Sequence, residues 1–356
     1  MRMDVLFDII DEGVIFGNKA PNLTLKWCLL ALAFCIISLS GFAQIDTTIY
    51  IGAVDIAAKQ LKSDGTGSEI ISFEEAVMDN YQQQPLGNLL QQKANVFIKS
   101  YGASSLATIS LRGTGSNHTA VLWNGLNLQS SMNGTVDFNL VPVFFMEDID
   151  LQKGGNSARY GSGAIGGSLH LNSFQKPKNG VHGMIGGAIG SFDKVDGLAK
   201  LSYGNERWNS TVKLLSSTAA NDFELPRNPS NNQQNANFLQ KGLTNDNYLK
   251  INEKQSVNSY FWYQKTERNI PASRGEGSSD ALQNDDFLRA GIDWNRVGEQ
   301  SATKAKIAFL QDELLYFSSV VDSANSLTRT YIFELEQDFF LKNNQTVRAG
   351  LQHHKR

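Results

Sequence analysis

Two stretches of the chain decide how it folds: ISLRGTGSNHTAVLWNGLNL (residues 109–128) and SARYGSGAIGGSLHL (residues 157–171). Each combines a glycine-rich turn with a short run of mostly apolar residues, which predicts tight turns next to strands. Gly161, Gly163 and Gly166 also match the spacing of a dinucleotide-binding loop. That loop follows a hydrophobic strand and precedes a helix. Here the residues SAR precede it and an alternating strand at 168–172 follows, so we reject a nucleotide site.

The region around these stretches, residues 70–173, is predicted to form a small α+β domain. A helix is expected at residues 85–92, because Pro85 suits the first helical position and Leu86, Leu89 and Leu90 fall on one face. Short strands are predicted at residues 96–98, 108–112, 120–123, 146–152 and 168–172.

After residue 176 the pattern changes to segments of about ten residues in which apolar and polar side chains alternate, as tilted membrane strands require. In residues 195–204, one face carries Val195, Leu201 and Tyr203, and the opposite face carries Asp196 and Lys200. Residues 330–339 alternate in the same way. This predicts antiparallel strands of a transmembrane β-barrel.

Connector lengths support the barrel over a soluble β-sandwich. Short connectors near residues 205, 254, 298 and 343 alternate with long polar ones at residues 217–240, 268–283 and 318–326. Outer-membrane barrels alternate short inner turns with long outer loops, whereas a sandwich has no reason to do so. The connector near Asp193 is a short outer loop and the one irregularity. We count about nine strands, which is an incomplete barrel.

Composition excludes several classes of function. The net charge is -3, and no basic cluster occurs that would bind nucleic acid. The five histidines show no metal-ligand spacing and no nucleophilic serine motif is present, so neither a metal site, nor a cofactor, nor an enzyme is predicted. We interpret His118 as a polar loop residue rather than a ligand contact.

The N-terminal region is predicted to direct export. KWCLLALAFCIISLSGFAQ (residues 26–44) has a basic residue, an apolar run and small residues in signal-peptide order, with cleavage near Ala43. Cys28 and Cys35 both lie inside it, which leaves no thiol chemistry to the mature chain. Residues 44–61 read as an extended segment tethered by the linker SDGTGS (63–68). That segment fits either an edge strand added to a partner's sheet or an ordinary first strand.

The order of motifs resembles the plug domain of TonB-dependent outer-membrane receptors. The stretch at 109–128 resembles the family's RG-(x)-VLxDG element, residues 137–155 resemble the strand entering the IExxxG element, and 157–171 are similar to the SxLYGSxAIGG element. The matching residues are Arg112, Gly113, Asn124, Gly125, Gly154, Tyr160, Gly161, Ala164, Gly166 and Gly167. Arg112 can pair with a carboxylate of the wall or the plug, such as Glu147 or Asp148, and the alternative is a plain surface charge.

The resemblance implies a receptor that binds a scarce solute at its outer mouth and admits it when the periplasmic protein TonB pulls on the N-terminal segment. The residues implied to contact TonB are Ile49, Tyr50, Ile51, Val54 and Ile56. The residues implied to contact the ligand are Ser130, Ser131, Met132 and Asn133 in the loop 126–135. The alternative without transport is a secreted β-rich binding or adhesion protein.

The ligand implied first is cobalamin, because the Ser-Asn-His stretch at 116–118 resembles the same loop of vitamin B12 receptors. Ferric siderophores and other metal chelates come next. The expected domains are a signal peptide with an extended lead-in (1–43), a TonB-box segment and linker (44–69), a plug (70–175) and the first part of a barrel in the outer-membrane lipid (176–356). Since the family's barrels need more strands to close, we expect a fragment or a truncated reading frame.

Overall fold

The computed structural model describes residues 69–356, apart from residues 103–104, 131, 155–161, 175–177, 226–227, 273–277, 321–322 and 342–344. These residues lie in one compact unit, residues 51–356. The predicted signal peptide and the five predicted TonB-contacting residues lie outside the described residues, as do Ser131, Tyr160 and Gly161.

The first part of the described chain, residues 69–174, is a small α+β domain that we call the plug. Its sheet has five strands in the order β1-β6-β7-β4-β5, in which β4 and β7 are parallel and the other neighbours antiparallel. A separate hairpin joins β2 to β3. The elements are β1 (Glu69–Ser72), α1 (Glu75–Asp79), α2 (Leu86–Lys93), β2 (Phe97–Ser100), β3 (Ala107–Ser110), β4 (Thr119–Trp123), β5 (Leu126–Asn127), β6 (Asp148–Lys153) and β7 (Gly167–Asn172).

The second part is a nine-stranded antiparallel sheet that we call the wall, in the order β18-β17-β16-β15-β14-β13-β10-β9-β8. A separate two-stranded hairpin, β11–β12, projects from the connector between β10 and β13. The strands are β8 (Gly180–Gly190), β9 (Lys194–Gly204), β10 (Trp208–Ala219), β11 (Glu224–Leu225), β12 (Asn228–Asn232), β13 (Phe238–Asn252), β14 (Gln255–Asn269), β15 (Leu282–Val297), β16 (Ser301–Phe317), β17 (Ala324–Phe340) and β18 (Thr346–Lys355). The predicted fold class and the nine barrel strands are therefore confirmed.

The two faces of the wall differ as predicted. In β9, Val195 and Leu201 lie exposed, whereas Asp196 and Ser202 are buried against the inner side. In β17, Tyr331 and Phe333 are likewise exposed. An outward apolar face and an inward polar face are what a barrel wall in lipid requires. Within the described residues, no helix is long and apolar enough to cross a membrane.

The connectors also agree with the prediction. Short ones join β9 to β10, β13 to β14, β15 to β16 and β17 to β18, and longer ones join β10 to β13, β14 to β15 and β16 to β17. All the long connectors lie at one end of the wall, which we call the outer end.

Several predicted element boundaries in the plug are wrong. The helix begins at Leu86, with Pro85 as its extended N-cap residue rather than its first helical residue. The strand predicted at 108–112 ends at Ser110, because Arg112 and Gly113 have positive φ and turn the chain. The strand predicted from residue 146 begins at Asp148, after a 3₁₀ turn over Val143–Phe145.

Candidate functional site

A cavity of about 140 Å³ lies between the plug and the outer ends of β14–β17, and we call it the loop cavity. Ser130, Met132 and Asn133 line it from the plug, so three of the four predicted ligand contacts come together here. The side chain of Met132 is 64% exposed. Two backbone hydrogen bonds close the loop into a compact turn. Gly134 N–H donates to the Ser130 carbonyl, and Ser130 N–H donates to the Thr135 carbonyl.

An ion network joins plug and wall at the edge of this cavity. Asp137 accepts hydrogen bonds from the backbone N–H groups of Ala107 and Asn139, each at 3.0 Å. Its second oxygen, Oδ2, accepts from Arg268 Nη1 of β14 at 2.7 Å, and Arg268 Nη2 lies 3.1 Å from Asp285 Oδ2 of β15. Asp137 therefore connects the loop at residues 126–135 to two wall strands, to β14 directly and to β15 through Arg268.

A second arginine is held rigidly beside the network. The Arg289 guanidinium lies 4.7 Å from the ring centre of Trp262 and 4.5 Å from that of Phe287, and its Nη2 donates to Asp312 at 3.1 Å. The described lining of the cavity includes four carboxylates (Asp137, Asp285, Asp312, Glu313) and two guanidinium groups. A neutral or cationic solute fits this excess of negative charge better than an anion does.

The Arg112-Gly113 and Asn124-Gly125 pairs of the first motif both form turns. Arg112 and Gly113 have φ of 51° and 75°, and Asn124 and Gly125 have φ of 47° and 83°, so both central residues of each turn adopt the left-handed region. Asn-Gly is the preferred pair for such a two-residue hairpin turn, here between β4 and β5. Glycine is favoured at position 125 by its φ of 83°, and a Cβ there would lie 2.7 Å from Lys306 Nζ, so the lysine end would have to shift.

The Asn124 turn is also a docking point for the wall. Asn124 Nδ2 donates to Ser173 Oγ at 2.8 Å, and Ser173 Oγ donates to Asp246 Oδ1 of β13 at 2.5 Å. Lys306 Nζ of β16 donates to the Asn124 carbonyl at 2.5 Å. Motif reasoning identified Asn124 but missed Ser173, Asp246 and Lys306. For Asp246 and Lys306 the sequence signal is a charged residue at an inward-facing strand position, which the alternation of β13 and β16 could have revealed. Ser173 has no such signal.

The motif at residues 157–171 meets two other plug segments, around His118 and Gly154. Gly154 N–H donates to the Gly166 carbonyl, and Gly166 N–H donates to the His118 carbonyl. A Cβ on Gly167 would lie 2.5 Å from the Gln152 carbonyl oxygen, so β7 can pair this closely with β6 only through glycine. Ala164 is fully buried beside them. These residues build the plug and lie outside the lining of the loop cavity.

Glu147 lies where the plug meets β9 and β10. Its Oε1 is 2.6 Å from Lys200 Nζ and 2.7 Å from Lys213 Nζ. The prediction that Arg112 pairs with Glu147 is therefore wrong, since Arg112 is exposed in its turn while two wall lysines hold the carboxylate. Burial alone would raise the pKa of Glu147, but the two lysines outweigh it and leave the pKa below its ordinary value.

No metal-binding group of three or more His, Cys, Asp or Glu side chains occurs within the described residues.

Comparison with known proteins gives a consistent result. Residues 62–168 match the family model of the TonB-dependent Receptor Plug Domain. The chain is 23% identical over 278 residues to the vitamin B12 transporter BtuB of Photobacterium profundum, which covers 77% of this chain and 45% of that protein. It is 32% identical over 139 residues to the vitamin B12 transporter BtuB of Vibrio vulnificus, which covers 37% and 20%. The chain thus spans less than half the length of these curated relatives.

Solved structures with the same fold include the ferric yersiniabactin uptake receptor FyuA from Yersinia pestis, with a TM-score of 0.63 at 16% identity over 81% of this chain and 48% of that one. The siderophore receptor PiuA from Acinetobacter baumannii has a TM-score of 0.61 at 14% identity over 80% and 45%. At these identities the likeness concerns the fold alone.

Proposed function

We propose that this chain, whose residues 62–168 match the TonB-dependent Receptor Plug Domain, serves an outer-membrane uptake system that binds a scarce solute outside the cell and imports it to the periplasm. The observation that carries this proposal is the loop cavity, where the plug loop and the outer ends of four wall strands meet at one opening. A site built from both parts can transmit the arrival of a solute to the plug, since Asp137 connects the loop to Arg268.

The solute proposed is cobalamin. Two of the relatives with sequence similarity to this chain are vitamin B12 transporters. The excess of carboxylates in the loop cavity disfavours an anionic ferric chelate, because like charges would meet there. A corrinoid, which presents many neutral amide groups, avoids this repulsion. Ser130 and Asn133 can exchange hydrogen bonds with amides, and Met132 offers an adaptable apolar contact.

Energy for import is proposed to come from TonB acting on residues 44–61, with Ile49, Tyr50, Ile51, Val54 and Ile56 in contact. An extended segment tethered by a flexible linker can pair with the edge of a partner's sheet. The signal-peptide pattern at residues 26–44 supplies the export that this location requires.

The test compares cells producing the unmodified protein with cells producing a deletion of residues 44–61. Binding and uptake of labelled cobalamin are measured separately. We expect the deletion to keep surface binding and to abolish uptake. Uptake that survives the deletion would contradict energised transport through this segment. If the protein does not bind cobalamin but binds a ferric siderophore, the proposed ligand is wrong and the siderophore takes its place.

A further inference from the structure

Two further cavities lie one above the other between the plug and strands β9 and β10. The first, about 300 Å³, takes its wall residues from the outer ends of β9, β10 and β13. Seven asparagine and glutamine side chains contribute to its lining, so we call it the amide cavity. The second, about 220 Å³, lies nearer the opposite end and includes Lys178, Lys200 and Lys213, so we call it the lysine cavity. Gln82 of the plug lines both.

The boundary between these cavities lies between two neighbouring cross-strand pairs of β9 and β10, two residues apart along each strand. Leu198 and Leu215 are a cross-strand pair, as are Lys200 and Lys213. The leucines line the amide cavity and the lysines line the lysine cavity. Two residues along a strand correspond to about 6.6 Å. We call Gln82, Leu198 and Leu215 the neck. Both leucines are buried, and the inward positions of β9 and β10 on either side of them are polar.

The contact of the plug with β14, two strands along the wall from β10, is closed by packing. The Trp123 ring lies edge-on to Tyr260 at 5.2 Å and to Trp262 at 5.4 Å between ring centres. Phe145 also packs on Trp262 at 5.9 Å. Aromatic rings in such contact leave no space for a solute, and parting them would expose large apolar area to water. The β9–β10 side already holds two open spaces.

The fixed charges along the β9–β10 side balance. The described lining of the amide cavity has Lys194 and Asp196, and that of the lysine cavity has three lysines matched by Glu75, Asp79 and Glu147. Glutamine and asparagine supply much of the remaining polar surface of the amide cavity. Such a passage suits a neutral solute rich in hydrogen-bonding groups, because neither a cation nor an anion gains from it.

We propose that the imported solute crosses the protein along the inner face of β9 and β10, from the amide cavity through the neck into the lysine cavity. This route rests on the proposed uptake function and adds the path to it. Asp137 lines the loop cavity and Asn139 lines the amide cavity two residues later, so a solute bound in the first lies beside the entrance of the second. The neck opens when plug residues 74–85, which carry Gln82, move away from the leucines.

The route can be tested by single-cysteine labelling, because the chain beyond residue 35 contains no cysteine. Leu198→Cys and Leu215→Cys place a thiol in the neck. Leu310→Cys and Ala308→Cys are the matched controls, since Leu310 and Ala308 are buried inward-facing residues of β16 that belong to the same core but line neither cavity. Cobalamin uptake by each variant checks that it folds. A sulfonated, membrane-impermeant maleimide is then added to cells with and without external cobalamin.

We expect labelling of both neck cysteines to rise at least about fivefold during uptake, while both control cysteines stay unlabelled. Equal labelling at all four positions during uptake would overturn the route, because it would mean that the plug leaves the wall as one body. Uptake without labelling at either neck position would also overturn it. If the unmodified protein imports no cobalamin, the proposed function itself fails, and this result is separate because it appears before any cysteine is introduced.

Discussion

Replacing Glu147 by glutamine tests whether the plug is held to the wall by charge. The carboxylate is 18% exposed and receives two lysines at 2.6 and 2.7 Å, one of which, Lys213, is 1% exposed. In Glu147→Gln these lysines, which lie directly opposite each other on β9 and β10, face one another without the carboxylate that both contact. Removing one partner of a buried pair costs roughly 3–5 kcal/mol. Lys213 keeps a hydrogen bond to the Phe144 carbonyl at 3.0 Å, so we expect the lower end, about 3 kcal/mol.

The measurement is the free energy of plug unfolding in the purified protein, from urea titration followed by hydrogen exchange of the plug amides. The matched control is Glu69→Gln, which removes a plug carboxylate that is 58% exposed and paired with Lys153. An exposed pair contributes about 1 kcal/mol or less, so the control should change little. Adding Lys213→Met to Glu147→Gln should restore much of the loss, since the most deeply buried ammonium group, which is 1% exposed, is then removed as well. Equal free energies of plug unfolding for Glu147→Gln and Glu69→Gln would refute the view that Glu147 holds the plug to the wall.

Three more outcomes are expected. The pKa of Glu147 is lower in the folded protein than in the unfolded chain, where it is about 4.5. The contribution of Glu147 to plug stability is therefore complete above pH 4.5 and is lost as the pH falls through the lower folded-state value. The free energy of plug unfolding measured from pH 6 to 3 should show this loss in the unmodified protein and not in Glu147→Gln. Gly125→Ala should lower the melting temperature, with a cost of about 1–3 kcal/mol from its positive φ, whereas Gly197→Ala on the exposed face of β9 should stay within about 0.5 kcal/mol; equal melting would contradict the turn argument. Asp137→Ala leaves Arg268 without its plug partner and should weaken cobalamin binding at least tenfold, measured by equilibrium binding; unchanged affinity would show that the network does not position the ligand loop.

The plug and the wall meet through two kinds of contact with different consequences. At β14, aromatic rings pack closely around Trp123, and such contact resists separation. At β9 and β10, the contact consists of the Glu147 ion pairs and two cavities. A contact made of ion pairs and open space can part and reform at lower cost than a packed apolar one, because water can solvate the separated charges. We therefore expect the β9–β10 contact to part more readily than the aromatic contact at β14.

Local features of the plug and wall were predictable from sequence because they depend on neighbouring residues. Asn124-Gly125 specifies its turn through the φ angles that these two residues tolerate. The alternation in β9 specifies which side chains face outward, since successive residues of a strand point to opposite faces. The end of β3 was misplaced because the Arg112-Gly113 turn begins one residue after a run of strand-forming residues.

The sequence by itself determined the fold class, the number of wall strands and the family motifs, all of which follow from short-range patterns. It also indicated the loop at residues 126–135, because small polar residues between strands mark a loop. Only the tertiary structure decided that Lys200 and Lys213 hold Glu147, that Asp137 joins Arg268, and that Gln82 lies at the step between two cavities. These relations join residues between 53 and 131 positions apart, and the register of distant strands sets them. No pattern of neighbouring residues encodes such a distance.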